Sequence, residues 1–242
     1  MKIMHPVKNI ASFFLDLTPQ RLKDFLLNVS YLNVSYSQEG EDLILSRIFG
    51  RKKDGFFVDV GAHHPKKYSN TYKFYREGWH GINIDAMPGS MRLFEKLRPN
   101  DINIEAGIAR ATGELTYSIF NEPALNTFNE EEANRKNGLN GYRIVEQKKV
   151  RVYPLSDILD KHLKPGDTID FLSIDVEGLD FDVLQSNNWE KYRPNIVLVE
   201  ELRKPSGERE TQGTEFLLAN GYRLFAQTYN TLIFKEQKFP LH

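Results

Sequence analysis

Phe56-Phe57-Val58-Asp59-Val60-Gly61-Ala62-His63-His64-Pro65 is an apolar run that ends abruptly in an acid, a glycine and a polar turn. The run suits a strand buried on both faces. Gly61 lets the chain turn tightly and approach a ligand with no Cβ in the way. A second run, Ile82-Asn83-Ile84-Asp85, ends in a carboxylate 24 residues beyond Gly61. Nucleotide-binding α/β sheets place an acid about 20 residues past the glycine turn, where it takes ribose hydroxyls. The stretch therefore reads as the first strand of an α/β sheet and the turn that receives a small ligand.

The turn is not a dinucleotide fingerprint. Gly61-Ala62-His63-His64-Pro65-Lys66 lacks the second and third glycines that seat a pyrophosphate on a helix start. A ligand with a ribose and no pyrophosphate fits better, and S-adenosylmethionine is one.

Further strands and helices alternate outward from this centre. Ser69-Asn70-Thr71 can cap a helix carrying Tyr72, Phe74 and Tyr75, and Ser90 to Arg98 is a helix stopped by Pro99. Ile102 to Ile108 reads as a third strand, Ile169 to Asp175 as a fourth and Pro194 to Glu200 as a fifth. Helices fall over Leu155 to Leu163, from Gly178 to Gln185, and over Thr214 to Asn220 before Gly221. Tyr222 to Phe225 and Thr231 to Phe234 close the chain as a hairpin around Tyr229-Asn230. This alternation predicts parallel pairing with right-handed crossovers. Residues 109 to 154 break it: Leu115 to Phe120 and Tyr142 to Tyr153 read as strands, and Asn129 to Leu139 as a polar excursion. That region is expected to be an insertion shaping the acceptor side of the cleft, since loops on an α/β scaffold commonly carry specificity.

Residues 1 to 35 read as a helical lead-in, with Phe13, Phe14 and Leu17 as one cluster and Leu22, Phe25, Leu26 and Val29 at helical spacing. Thr18-Pro19 suits a helix start. The lead-in is expected to pack on the main domain or on a second subunit of a homo-oligomer.

The chain has 242 residues, enough for one large α/β domain. Its net charge of −1 argues against a nucleic-acid partner. It has no cysteine, which excludes disulfides, zinc-thiolate sites and thiol nucleophiles. No run reaches the roughly 18 apolar residues of a membrane span. Asp16, Lys23 and Asp24 interrupt the N-terminal apolar stretch, which is unlike a signal peptide. A cytoplasmic protein is expected.

Asp59, Asp85, Asp175 and Glu200 each close a strand, at the sheet edge where open α/β sheets bind ligands. Asp175-Val176-Glu177-Gly178 sets two carboxylates beside a glycine that opens a helix. Three roles compete for them. One is a base for an acceptor hydroxyl. Another is a hard divalent metal held by Asp175 with Glu177, Glu200 or Glu201. The third is a purely structural helix cap. His63 and His64 sit in the ligand turn and could act as a base near neutral pH.

Taken together these residues resemble the FkbM family of S-adenosylmethionine-dependent methyltransferases. Four stretches carry the likeness: Tyr36-Ser37-Gln38-Glu39-Gly40-Glu41-Asp42, Phe57 to His63, Ser69-Asn70-Thr71 through Gly78-Trp79-His80-Gly81 to Ile84-Asp85-Ala86, and Leu172 to Gly178. It covers residues 36 to 235 and leaves the lead-in outside. The resemblance implies a class I methyltransferase, a Rossmann-like α/β fold with a seven-stranded, mostly parallel sheet and a C-terminal antiparallel hairpin. It implies O-methylation, often of sugars or secondary metabolites. It sets Asp59, Gly61 and Ala62 against the methionine part of the donor, and Asp85, with Ala86 beside it, on the ribose. Ala106, Gly107 and Ile108 would border the adenine. Gln38, Asp175 and Glu177 would lie near the methyl group. The competing readings are an NAD-dependent oxidoreductase, and a nucleoside-binding or partner-binding domain without turnover.

Overall fold

The computed structural model describes residues 19–22, 24, 29, 31–164, 166–201 and 211–240. Phe13, Phe14, Leu17, Phe25 and Leu26 of the expected lead-in lie outside these residues. Contacts divide the chain at the Val34–Ser35 junction, and the sheet belongs to the unit that begins at Ser35.

Its elements run α1 (Glu41–Phe49), β1 (Phe56–Val60), α2 (Tyr72–Arg76), β2 (His80–Asp85), α3 (Met91–Leu97), β3 (Ile102–Glu105), β4 (Gly107–Ile108) and β5 (Gly113–Phe120). After these come α4 (Glu130–Lys136), β6 (Ile144–Tyr153), α5 (Leu155–His162), β7 (Phe171–Ile174) and α6 (Asp180–Ser186). The last are β8 (Ile196–Glu200), α7 (Gln212–Ala219), β9 (Tyr222–Gln227) and β10 (Thr231–Glu236). Seven strands form one sheet in the order β3-β2-β1-β7-β8-β10-β9. Every pairing in it is parallel except those of β10 with β8 and β9. This is the class I methyltransferase fold, with the antiparallel hairpin at the chain's end.

Alternate residues of the central strands feed two cores, as a two-residue side-chain period requires. Val58, Val60, Ile82, Ile84, Leu172 and Ile174 pack on one face with α5, α6 and α7. Phe57 and Phe171 face the other way, onto Phe49, Phe74 and Trp79. Both tryptophans are core anchors: Trp79 Nε1 donates to Lys52 O at 3.0 Å and Trp189 Nε1 to Leu184 O at 2.7 Å. Among the described residues no helix is long and apolar enough to cross a membrane.

Two expectations need correction. The third strand is not continuous: β3 pairs with β2 as far as Glu105, the chain breaks at Ala106, and β4 pairs with β6 in a separate three-stranded sheet, β4-β6-β5. Close packing enforces the change of partner. A Cβ at Gly107 would lie 2.6 Å from the Phe128 ring and 2.8 Å from Val152, so only glycine lets the insertion close over this point. The polar stretch after Asn129 is also not irregular. It contains α4, capped by the Asn129 side chain, which accepts from Glu132 N at 3.1 Å. Three acids in its first turn and Arg135-Lys136 in its last complement the helix dipole.

Candidate active site

A cleft of about 800 Å³, partly open to solvent, lies at the carboxyl ends of β1, β2 and β7. The register levels these ends, since Val60 pairs with Ile84 on one side and with Ile174 on the other. Gly61 and Ala62 both donate to Ile84 O, at 2.9 and 3.0 Å, and Asp175 N donates to Val60 O at 3.0 Å. Gly61 has φ +84°, and a Cβ there would stand 1.8 Å from Asp175 O. The glycine thus brings the β1 turn directly against the acidic loop.

At one end of the cleft is Asp85, with Ala86 beside it. Its two oxygens accept from His63 N and Met87 N, each at 2.8 Å. Burial raises its pKa despite those bonds. Ala106, Gly107 and Ile108 line the same cleft where the chain passes from β3 to β4. Opposite them the insertion contributes Tyr117, Asn126 and Phe128. Burial and then the charge of Asp85 hold the Tyr117 phenol above the ordinary tyrosine range, so it remains a donor. The insertion, expected on the acceptor side, therefore also walls the end that holds Asp85.

At the other end are Asp175, Glu177 and Gln38. Gln38 is set in place by its neighbours. Glu39 Oε2 accepts from Asn230 N at 3.0 Å, and Glu41 Oε1 accepts from Thr231 Oγ1 at 3.1 Å, tying the segment to the final hairpin. Asp42 gathers Ser35 Oγ, Tyr36 N and Ser37 Oγ. The acids of this motif are structural, and the glutamine that precedes them faces the cleft.

The Asp175 carboxylate is exposed to the cleft and accepts no hydrogen bond among the described residues. Protein packed around the strand end, then the charges of Glu200, Glu177, Asp59 and Glu41, raise its pKa well above the usual carboxylate range. Glu200 is pushed up to about 8 by burial and by Glu177 and Asp180, with Lys136 pulling the other way. Its Oε2 is buried without a partner. Asp180, buried beneath the loop, accepts from Val176 N and Gly178 N and is also pushed up to about 8, by burial and by Asp175. Carboxylate oxygens of Asp175, Glu177 and Glu200 lie within 4.8 Å of one another, close enough to share one cation. Glu201 is turned away: its Oε1 accepts from Thr214 N and Oγ1 at the start of α7.

Glu177 sits at φ +54°, a conformation that disfavours side chains by roughly 1–2 kcal/mol. The insertion holds it there. Thr127 Oγ1 donates to Glu177 O at 2.7 Å, Asn129 Nδ2 to Gly178 O at 3.2 Å, and Lys136 Nζ to Glu177 Oε2 at 2.6 Å.

Other sequence candidates, His63 excepted, lie off the cleft. Asp59 is buried within β1, outside the lining, and accepts from Thr71 Oγ1 at 2.9 Å; Thr71 in turn accepts from the fully buried Arg98 at 2.8 Å. Ala62 packs with Met91 and Phe94. His63 lines the cleft, whereas His64 does not. His64 Nδ1 accepts from Lys66 N and Lys67 N, which closes the turn.

A model of the methyltransferase FkbM domain matches residues 59–224, well over half of the chain. The chain belongs to the FkbM methyltransferase family. It is accordingly an enzyme that uses S-adenosylmethionine as methyl donor. No curated protein matches this FkbM methyltransferase in sequence. Similar solved structures include a TehB-like S-adenosylmethionine-dependent methyltransferase from Corynebacterium glutamicum, at 10% identity and TM-score 0.41, covering 90% of this chain and 97% of that one. A precorrin-6y C5,15-methyltransferase from Geobacter metallireducens is 13% identical at TM-score 0.38, covering 80% and 84%. The 1,6-didemethyltoxoflavin-N1-methyltransferase from Burkholderia thailandensis, with S-adenosylhomocysteine bound, is 10% identical at TM-score 0.40, covering 98% and 93%.

Reading motifs missed Tyr117, Asn126, Phe128, Lys136 and Asp180 of this FkbM methyltransferase. The capping pattern of α4 was a usable signal for Lys136. Tyr117 and Phe128 carry none, because only tertiary packing brings β5 and the loop after it to the donor strands.

Proposed function

We propose that this FkbM-family enzyme methylates a hydroxyl group, with Asp175 as the base and a carbohydrate as the acceptor. The observation that carries the reading is the Asp175 carboxylate. It lines the cleft, no protein donor occupies it, and the acids around it raise its pKa, which makes it a better proton acceptor than an ordinary carboxylate. Asp85 holds the ribose hydroxyls, with Ala106, Gly107 and Ile108 against the adenine and Gly61 and Gln38 toward the methionine part. The acceptor oxygen attacks the methyl carbon in line as the carbon–sulfur bond breaks, both electrons of that bond pass to sulfur, and the hydroxyl proton passes to Asp175. Orientation of donor and acceptor supplies much of the acceleration, on the order of 7 kcal/mol or more at best. The carbohydrate acceptor is what the family resemblance implies.

The test is Asp175→Asn, assayed for methyl transfer to a panel of sugars and sugar conjugates. Loss of transfer on order 100-fold or more, with S-adenosylhomocysteine binding retained, is expected for removal of a general base. Unchanged transfer rejects the base assignment.

A further inference from the structure

Methyl transfer changes the donor's charge. The sulfonium of S-adenosylmethionine is positive, whereas the thioether of S-adenosylhomocysteine is neutral. The end of the cleft next to Asp175 and Glu177 is strongly acidic, with Glu200 close behind. Lys136 is the only cation in an ion pair with any of these three among the described residues. Its ammonium lies 2.6 Å from Glu177 Oε2 and 3.7 Å from Glu132 Oε2, and its side chain is only 13% exposed. It is carried by α4, which Thr127 and Asn129 bind to the turn Lys136 serves.

We infer that Lys136 is a specificity-determining residue whose charge sets how strongly the site prefers the sulfonium donor to its neutral product. This rests on the reading that Asp175 and Glu177 face the reacting sulfur. A sulfonium entering beside these crowded acids draws them toward their ionised forms and is attracted by them, and the ammonium beside them weakens that attraction. During transfer the sulfonium charge disappears as Asp175 takes the acceptor's proton, so the local charge is conserved at that step. Once the proton leaves for solvent, the carboxylates again lack a balancing cation on the ligand, and the neutral product gains nothing from them. Product departure and donor entry are favoured together, to a degree tuned by Lys136. Removing one unit charge from beside the site alters affinity for a cation on the order of fivefold where solvent screens the pair.

The experiment needs no acceptor. Calorimetry would give Kd for S-adenosylhomocysteine and for sinefungin, which carries an amine where the donor has its methylated sulfur, at one pH and ionic strength. The ratio of the two Kd values is compared among wild type, Lys136→Met, Lys136→Arg and Asp175→Asn. Lys136→Met should raise the preference for sinefungin on the order of fivefold, and Lys136→Arg should restore the wild-type ratio. Loosening of the loop alone would weaken both ligands alike and leave the ratio unmoved; that result, or a reduced preference, overturns the inference. Asp175→Asn should reduce the preference. An unmoved Asp175→Asn ratio means that Asp175 lends no negative charge to the reacting centre, and the premise that it faces the sulfonium as a carboxylate falls with it. A reduced Asp175→Asn ratio beside an unmoved Lys136→Met ratio overturns the role of Lys136 alone.

Discussion

Gly61→Ala tests whether the β1 turn and the acidic loop are one unit. Two effects add. The residue's φ of +84° carries a penalty of roughly 1–2 kcal/mol for any side chain. The new methyl group would stand 1.8 Å from Asp175 O and 2.7 Å from Asp175 C. Both are backbone atoms, so no rotamer change relieves the clash, and the ends of β1 and β7 must separate by more than 1 Å or so. Overpacking of this kind costs about 1–3 kcal/mol. The total is about 2–5 kcal/mol, or roughly 5–15 °C in Tm for a chain of this size. Because the shift moves both Asp175 and the turn that meets the donor, S-adenosylhomocysteine affinity should fall with stability, on the order of tenfold or more. Urea unfolding and calorimetry on the purified variant provide the check. A Gly61→Ala protein with wild-type stability and wild-type affinity would refute the claim that this contact positions the site.

The pH dependence of stability follows from Asp180. Its carboxyl, at about 8 in the fold against an ordinary 3.8, keeps its proton where the unfolded chain has lost it. Stability should therefore fall as pH rises from about 4 to about 8, by at most about 1.4 kcal/mol per pH unit for this group. Asp180→Asn should flatten the slope of Tm between pH 5 and 8, and an unchanged slope would contradict the assignment. Asp85→Ala removes the acceptor of two backbone N–H groups and, on the proposed reading, of the ribose hydroxyls. Charged hydrogen bonds of this kind are worth about 1.5–3 kcal/mol, so S-adenosylhomocysteine affinity should drop roughly 10- to 100-fold by calorimetry. NAD should not bind the wild type; measurable NAD binding would revive the oxidoreductase reading.

The main sheet was legible because its strands obey local rules. Phe56 to Val60, Ile82 to Asp85 and Ile196 to Glu200 are apolar runs ended by acids and turns, and the order of elements leaves few topologies open. Asp85, Asp175 and Glu177 could be found because each follows such a run. The insertion was less legible. The Ile102 to Ile108 pattern reads as one strand, and nothing local marks Ala106 as the point where it changes partner; that depends on Phe128 and Val152 closing on Gly107. The low hydrophobicity of residues 129–139 concealed α4, although Asn129, the acids after it and the basic last turn carry a helix's electrostatic pattern. Asp59 shows the opposite failure. The family resemblance sets it against the donor, but strand alternation turns it onto the face of Phe57, where Thr71 and Arg98 take it up.

The insertion's double duty constrains how this enzyme can be re-engineered. One continuous piece of chain supplies Tyr117 and Phe128 to the cleft wall and Thr127, Asn129 and Lys136 at the acidic loop. Transplanting residues 109–154 from a relative would exchange part of the cleft wall and the loop's clamps in the same stroke. Acceptor preference is therefore better altered by point changes on the exposed parts of that segment than by modular grafting, and natural divergence at its inward-facing positions should occur as correlated groups of substitutions.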